Sequence, residues 1–261
     1  YTESHIKLAK EHGFTFAPID ILDSEGETVY KTKTKLKYFS EVKVGKNIEK
    51  YDTLIIYSHF KGHGSAGFGG AIKNVAMGLA PASGKKEMHT AFIPNYDPEK
   101  CIECGLCLTD CPADAIKIKP VVIDTVKCIG CGSCVSFCPA KVFTVPNRSE
   151  RHTIFLEKLV EYAKVIQENK NMVYINVLAN ITAYCDCMSR KESPFLPDIG
   201  VLASTDIVAI EAASHDLVNK ECKCEDAFLE ENKVSGMRQI EYAAELKMGN
   251  LKYRLVDLDS D

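Results

Sequence analysis

Hydrophobic positions along this chain switch between a helical period and a strand period. Residues 3–12, closed by Gly13, carry the spacing of a short helix with a glycine C-cap. Phe14–Leu22 is apolar, broken by Pro18, and leads into the turn signal Asp23-Ser24-Glu25-Gly26. Glu27–Lys31 and Lys37–Val44 read as strands. Thr53–Tyr57 (TLIIY) is a short continuous apolar run, the form of a buried parallel strand. It enters the glycine-rich stretch Ser58–Gly70, after which Ala71–Leu79 has helical composition. Residues 81–100 hold three prolines and a Gly-Lys-Lys and read as a linker. Ser149–Glu168 predicts a long amphipathic helix with Ile154, Leu156, Leu159, Ala163 and Ile166 on its apolar side. Met172–Val177 and Ile199–Ala203 are β-rich runs. Ile207–Val218 and Gln239–Leu246 predict helices, and Tyr253–Leu258 a last strand. Strands alternating with helices predict an α/β fold, a mostly parallel sheet with covering helices.

Composition changes this picture at one point. The 261 residues are 46% hydrophobic and 26% charged, ordinary globular values that exclude a wholly disordered or fibrous chain. A net charge of −4 gives no basic surplus for nucleic acid or an anionic membrane. No apolar run approaches the roughly 18 residues a membrane span needs. The outlying number is twelve cysteines. With no recognisable signal peptide, they point to metal or redox chemistry in a reducing cytoplasm rather than to disulfides. The chain opens at Tyr1 rather than Met, which reads as processing or as a fragment lacking an upstream segment.

Eight of the cysteines lie between residues 96 and 146, inside an internal repeat. Residues 101–113 (CIECGLCLTDCPA) match residues 128–140 (CIGCGSCVSFCPA) at eight of thirteen positions, offset by 27. Each copy has the spacing Cys-x2-Cys-x2-Cys-x3-Cys-Pro. Three thiolates two residues apart wrap one cubane corner by corner, and the fourth opens a helix and points toward the partner cluster. Cys101, Cys104, Cys107 and Cys138 are thereby expected to hold one [4Fe–4S] cluster, and Cys128, Cys131, Cys134 and Cys111 the other. Gly105 and Gly132 suit backbone wrapped closely around an inorganic core. The competing reading is a pair of structural zinc knuckles. The segment resembles bacterial two-[4Fe–4S] ferredoxins. Residues 95–146 are therefore expected as a small α+β ferredoxin-like domain inserted into a discontinuous α/β domain of residues 1–94 and 147–261.

Other motifs lie outside the repeat: Ser58-His59-Phe60-Lys61-Gly62-His63, Gly67-Phe68-Gly69-Gly70-Ala71-Ile72-Lys73-Asn74, Gly84-Lys85 and Met88-His89, then Cys185-Asp186-Cys187 and Pro197-Asp198-Ile199-Gly200-Val201-Leu202-Ala203-Ser204. On these the chain resembles the family catalogued as domain of unknown function 362, often described as Fe–S centre proteins. That resemblance implies redox character and a further α/β segment upstream, but no established reaction.

A glycine-rich loop between a strand and a helix offers amide donors and a positive dipole end, so Gly67, Gly69 and Gly70, with Lys61 and Lys73, suggest a site for a carboxylate or phosphate. The alternative is a tight crossover turn. His59, Lys61 and His63 are the candidate catalytic residues, the histidines otherwise serving local hydrogen bonds. Cys185 and Cys187, with His59 and His63 or with Cys222 and Cys224, could hold an additional zinc or iron. Cys222 and Cys224 lie in the polar stretch Asn219–Asp226, as exposed thiols, a disulfide-capable pair or ligands. Asp198, Asp206, Glu211 and Asp216 are acid/base candidates. Asp206, after Ser204-Thr205, reads as a helix N-cap, and Glu211 and Asp216 as a polar helix face.

Three functions remain open at this level. The first is iron–sulfur electron transfer to a redox partner with a basic docking patch. The second is a redox enzyme, an oxidoreductase whose α/β domain binds an anionic substrate or second metal and takes electrons from the clusters. The third is a metal- or cluster-handling protein. All fit an anaerobe's cytoplasm.

Overall fold

The sequence folds, in a computed structural model that describes residues 2–89, 93–111, 113–130, 132–145, 147–185 and 192–259, into short elements around two cores. Helix α1 (Thr2–Glu11) precedes the antiparallel hairpin of β1 (Glu27–Lys31) and β2 (Glu41–Gly45). Strand β3 (Thr53–His59) follows, then a second hairpin of β4 (Lys61–His63) and β5 (Gly67–Gly69). Helix α2 (Ala71–Lys73) widens into a π-helical turn at Asn74–Gly78, and α3 covers Ala82–His89. Next come β6 (Asn95–Tyr96), α4 (Leu106–Thr109), β7 (Ile116–Lys117), β8 (Val122–Ile123), α5 (Ser133–Phe137) and β9 (Phe143–Thr144). The chain ends with α6 (Arg148–Gln167), β10 (Asn171–Leu178), β11 (Gly200–Ser204), α7 (Ile207–Cys222), α8 (Ala227–Asn232) and α9 (Met237–Glu245). It divides into two compact units, Tyr1–Pro81 with Leu156–Asp261, and Ala82–Phe155. Among the described residues no helix is long and apolar enough to cross a membrane.

The first unit is built on a three-stranded sheet in the order β11, β10, β3. β3 and β10 are parallel, with Thr53 opposite Asn171 and His59 opposite Val177. β11 runs antiparallel to β10, with Tyr174 opposite Ser204. The sheet is therefore mixed, not mostly parallel. Strand alternation sends Ile56, Ser58, Tyr174, Asn176 and Leu178 into the core, where α2 and α7 cover that face. On the other face Ile55 and Tyr57 are 67% and 65% exposed, and Val201 is 65% exposed. Thr53–Tyr57 is thus covered on one face only. An apolar run alone does not tell a one-sided strand from a two-sided one.

Helix α7 starts where Asp206 places its carboxylate on the amides of Val208 and Ala209, each at 2.9 Å, which satisfies donors that the helix itself cannot. Residues 37–39 do not extend β2 as their composition suggests. The buried Glu161 carboxylate takes the amides of Lys37, Tyr38 and Phe39, removing them from any ladder. The glycine-rich stretch holds the β4–β5 hairpin rather than one loop, and residues 82–89 of the expected linker are helical. Tyr253–Leu258 is exposed non-strand chain, because no described strand pairs with it.

The second unit has an internal two-fold pattern. β6 pairs with β9 and β7 with β8, both antiparallel. Its core is Ile116, Val121, Ile123, Val142 and Phe143, with six cysteines packed partly around it: Cys101, Cys107, Cys111, Cys128, Cys134 and Cys138.

Candidate metal centre

The 27-residue offset of the sequence repeat recurs in the backbone. β6 corresponds to β8, β7 to β9 and α4 to α5 at that spacing. Gly105 and Gly132 cap α4 and α5 at φ 77° and 78°, a left-handed conformation that glycine adopts without a side-chain penalty. The cysteine sulfurs accept backbone amides in the same register. Glu103 N donates to Cys101 Sγ and Gly130 N to Cys128 Sγ, both at 3.4 Å. Ala115 N donates to Cys111 Sγ at 3.3 Å and Val142 N to Cys138 Sγ at 3.4 Å. The donors Glu103, Ala115, Gly130 and Val142 carry no sequence signature of their own. Only the repeat offset could have paired them.

Two small cavities divide the cysteines. Cys101, Cys104, Cys107 and Cys138 line one. Cys111, Cys128 and Cys134 line the other. Cys131 lies outside the described residues. Each cavity thus draws its sulfurs from both motifs. Burial pushes the Cys107 thiol up, a backbone hydrogen bond opposes this, and Cys101, Cys138 and Cys104 push it further. Among these, Cys101, Cys104, Cys107, Cys111 and Cys138 are free thiols. Ligands of one tetrahedral zinc stand about 3.8 Å apart, given Zn–S bonds near 2.3 Å. Among the described residues, three ligating atoms come within 4.8 Å of one another at Cys222, Cys224 and Glu230, and not in either cavity. An all-thiolate donor set suits an iron–sulfur cluster and also a four-cysteine zinc.

The parallel pairing of β3 and β10 brings the chain after β10 alongside the chain after β3. His59 Nε2 donates to Ala179 O at 2.8 Å, and Gly62 N donates to Thr182 O at 2.8 Å. A Cβ on Gly62 would lie 2.0 Å from Ala183 O, so only glycine permits this approach. His63 Nδ1 accepts the amides of Ser65 and Ala66 at 3.1 and 3.0 Å, and Lys61 Nζ donates to His59 O at 3.0 Å. Cys185 follows on this edge, two residues beyond Ala183. Cys187 lies outside the described residues. Among the described residues Cys185 forms no group of three close ligands with His59 and His63.

Around the glycines of the expected anion loop the near neighbours come from the chain itself: Gly236 at Gly67, Lys73 at Gly69 and Glu211 at Gly70. Gly67, Gly69 and Gly70 are buried. Glu211 Oε1 accepts the amide of Ile72 at 3.3 Å and lies 2.4 Å from where a Cβ on Gly70 would stand. Glu211 is fully buried, and burial pushes its carboxyl up to about 7, against hydrogen bonds from Asn176 and the Ile72 and Ala71 amides. Its Oε2 and Asn176 Oδ1 are buried without hydrogen-bond partners. Of the other acids, Asp198 takes the amide of Asn180 at 2.7 Å and Asp216 the hydroxyl of Tyr253 at 2.6 Å. Cys222 and Cys224 are bonded to each other, which removes them from a four-thiolate site with Cys185 and Cys187.

An α/β unit with one covered sheet face and a cysteine-rich unit of two equivalent halves thus make up the chain. It belongs to the family described as domain of unknown function (DUF362), whose model matches residues 1–216. No curated protein and no solved structure matches it.

Proposed function

We propose that this chain is an iron–sulfur electron-transfer protein with two [4Fe–4S] clusters in residues 95–146. Cys101, Cys104, Cys107 and Cys138 hold one cluster, and Cys128, Cys131, Cys134 and Cys111 the other. The observation that carries this reading is the division of sulfurs between the two cavities, with Cys138 beside the first motif and Cys111 beside the second. The repeated amide-to-sulfur bonds support it, since such donors draw charge from thiolates and set a cluster's potential. When bound, each cluster supplies a one-electron carrier. Around them the chain supplies an apolar core that limits water and fixed amide donors that steady the charge. A reducing, cytoplasmic setting and a redox partner go with this reading.

The test is iron and acid-labile sulfide analysis with electron paramagnetic resonance on anaerobically purified full chain. About eight irons and eight sulfides per chain are expected. One or two zincs without sulfide would overturn the assignment.

A further inference from the structure

The pair Cys222 and Cys224 lies outside the cysteine repeat and is bonded across a single intervening residue. A bond spanning so short a loop removes little freedom from the unfolded chain, so it does little to stabilise the fold. Nor does it join elements otherwise apart. Cys224 N donates to Asn219 O at 3.2 Å, Asn219 Nδ2 donates to Glu225 O at 2.7 Å, and Asn219 Oδ1 accepts Ala227 N at 3.0 Å. Lys223, left-handed at φ 61°, closes α7, and Asp226 caps α8 through the amide of Leu229 at 3.0 Å. These bonds hold the loop whether or not the sulfurs are joined. Both cysteines are half-buried among Lys220, Glu221, Lys223 and Glu225. On the first turn of α8, Glu230 brings a carboxylate oxygen within 4.8 Å of both sulfurs.

The geometry points to a redox-gated site for one divalent cation of the zinc type, with Cys222, Cys224 and Glu230 as its protein ligands and a fourth position open to solvent. Oxidised, the sulfurs bond to each other and have no thiolate to offer. A dithiol donor reduces them: the Cys222–Cys224 bond takes two electrons and two protons, and the donor leaves as its own cyclic disulfide. The cation then displaces the two thiol protons into solvent as the thiolates move to about 3.8 Å apart, the spacing of Zn–S bonds near 2.3 Å. A disulfide oxidant reverses this: the two thiolates give it two electrons and re-form the Cys222–Cys224 bond, the oxidant takes up those electrons with two protons from solvent and leaves as a dithiol, and the cation returns to solvent. A metal site of two thiolates, a carboxylate and an open position is the form of a catalytic or transferable ion rather than a closed structural one.

The experiment compares full-length wild type with C222S/C224S under argon. Zinc is measured before and after treatment with a dithiol that is removed by gel filtration. The repeat cysteines are common to both proteins, so only the difference counts, and it is independent of cluster loading. Equal zinc before reduction, and one extra equivalent in the wild type afterwards, is expected. Equal zinc after reduction would overturn the site, and an extra equivalent before it would overturn the gating. In E230Q the extra zinc should be held at least tenfold more weakly; unchanged affinity would remove Glu230 as a ligand. Alkylation and peptide mass mapping of the wild type gives a second readout: residues 222 and 224 should both label only after dithiol treatment.

Discussion

Cys138 lines the same cavity as Cys101, whereas Cys128 and Cys134 of its own motif line the other. The Cys-x3-Cys step before each proline carries the fourth sulfur out of its own loop and into the other half. With clusters bound as proposed, Cys138→Ser and Cys111→Ser should damage different clusters. Each should lower iron from about eight to about four per chain. Cys111→Ser should spare the cluster on Cys101, Cys104 and Cys107, and a paramagnetic resonance spectrum of each variant reads out which one survives. Loss of the Cys101 cluster in Cys111→Ser would reject the crossed ligation.

The same unit sets an expectation for its partner. Residues 95–146 contain six acids and five bases, a net −1. Two oxidised clusters with four thiolates each add about −2 apiece, bringing the segment to about −5. Opposite charge on a redox partner would speed encounter, and added salt would screen it. Electron-transfer rates to a basic acceptor protein should fall as ionic strength rises from 10 to 200 mM, roughly from a Debye length of 30 Å to one under 10 Å. A rate unmoved by salt would remove the charge-steered partner.

Glu211 makes stability depend on pH in a direction opposite to most carboxylates. Burial raises its carboxyl from 4.5 to about 7. Between those values the folded chain keeps a proton that the unfolded chain has lost, so stability falls as pH rises through that window. One fully buried group with that shift accounts for roughly 3 kcal/mol. Glu211→Gln keeps the shape without the charge. Urea midpoints at pH 5 and pH 8 should show the wild type losing stability relative to the variant at the higher pH. Parallel behaviour of the two proteins would show that Glu211 does not titrate in this range.

The sequence made most legible what repeats or depends on near neighbours. The 27-residue offset anticipated the matching halves of the second unit, and Ser204-Thr205-Asp206 announced the α7 cap. The limits of β3, β10 and α6 follow their apolar patterns to within two residues. Features set by distant partners were hidden. Nothing in Ile199–Ala203 says that β11 runs antiparallel to β10, because strand direction depends on where the chain has been. The β4–β5 hairpin is built largely from glycine, which weakens any strand pattern. Gly67, Gly69 and Gly70 looked like a cradle for a ligand. Glu211, far along the chain, packs against Gly70 and accepts the Ile72 amide there, a neighbour no local pattern announces.

The end of the Lys37–Phe39 strand reading at Glu161 gives the sharpest test of packing. This carboxylate is fully buried, yet it accepts four donors: the amides of Lys37, Tyr38 and Phe39 at 2.9, 2.8 and 3.1 Å, and the Tyr242 hydroxyl at 2.7 Å. Beside it, Glu157 takes Lys37 Nζ, the Tyr38 hydroxyl and Arg238, so the segment is held at both backbone and side chain. Glu161→Gln replaces one acceptor oxygen with an amide donor facing other donors. Each buried group left unmatched costs about 1–3 kcal/mol, and Glu161→Ala, which strands all four, should cost more than Glu161→Gln. The chain has no tryptophan and eleven tyrosines, so tyrosine fluorescence in urea can follow the loss. Limited proteolysis should show faster cutting near residues 37–39 in both variants. Wild-type midpoints and cutting rates would mean that the hydrogen bonds to Glu161 do not hold this segment.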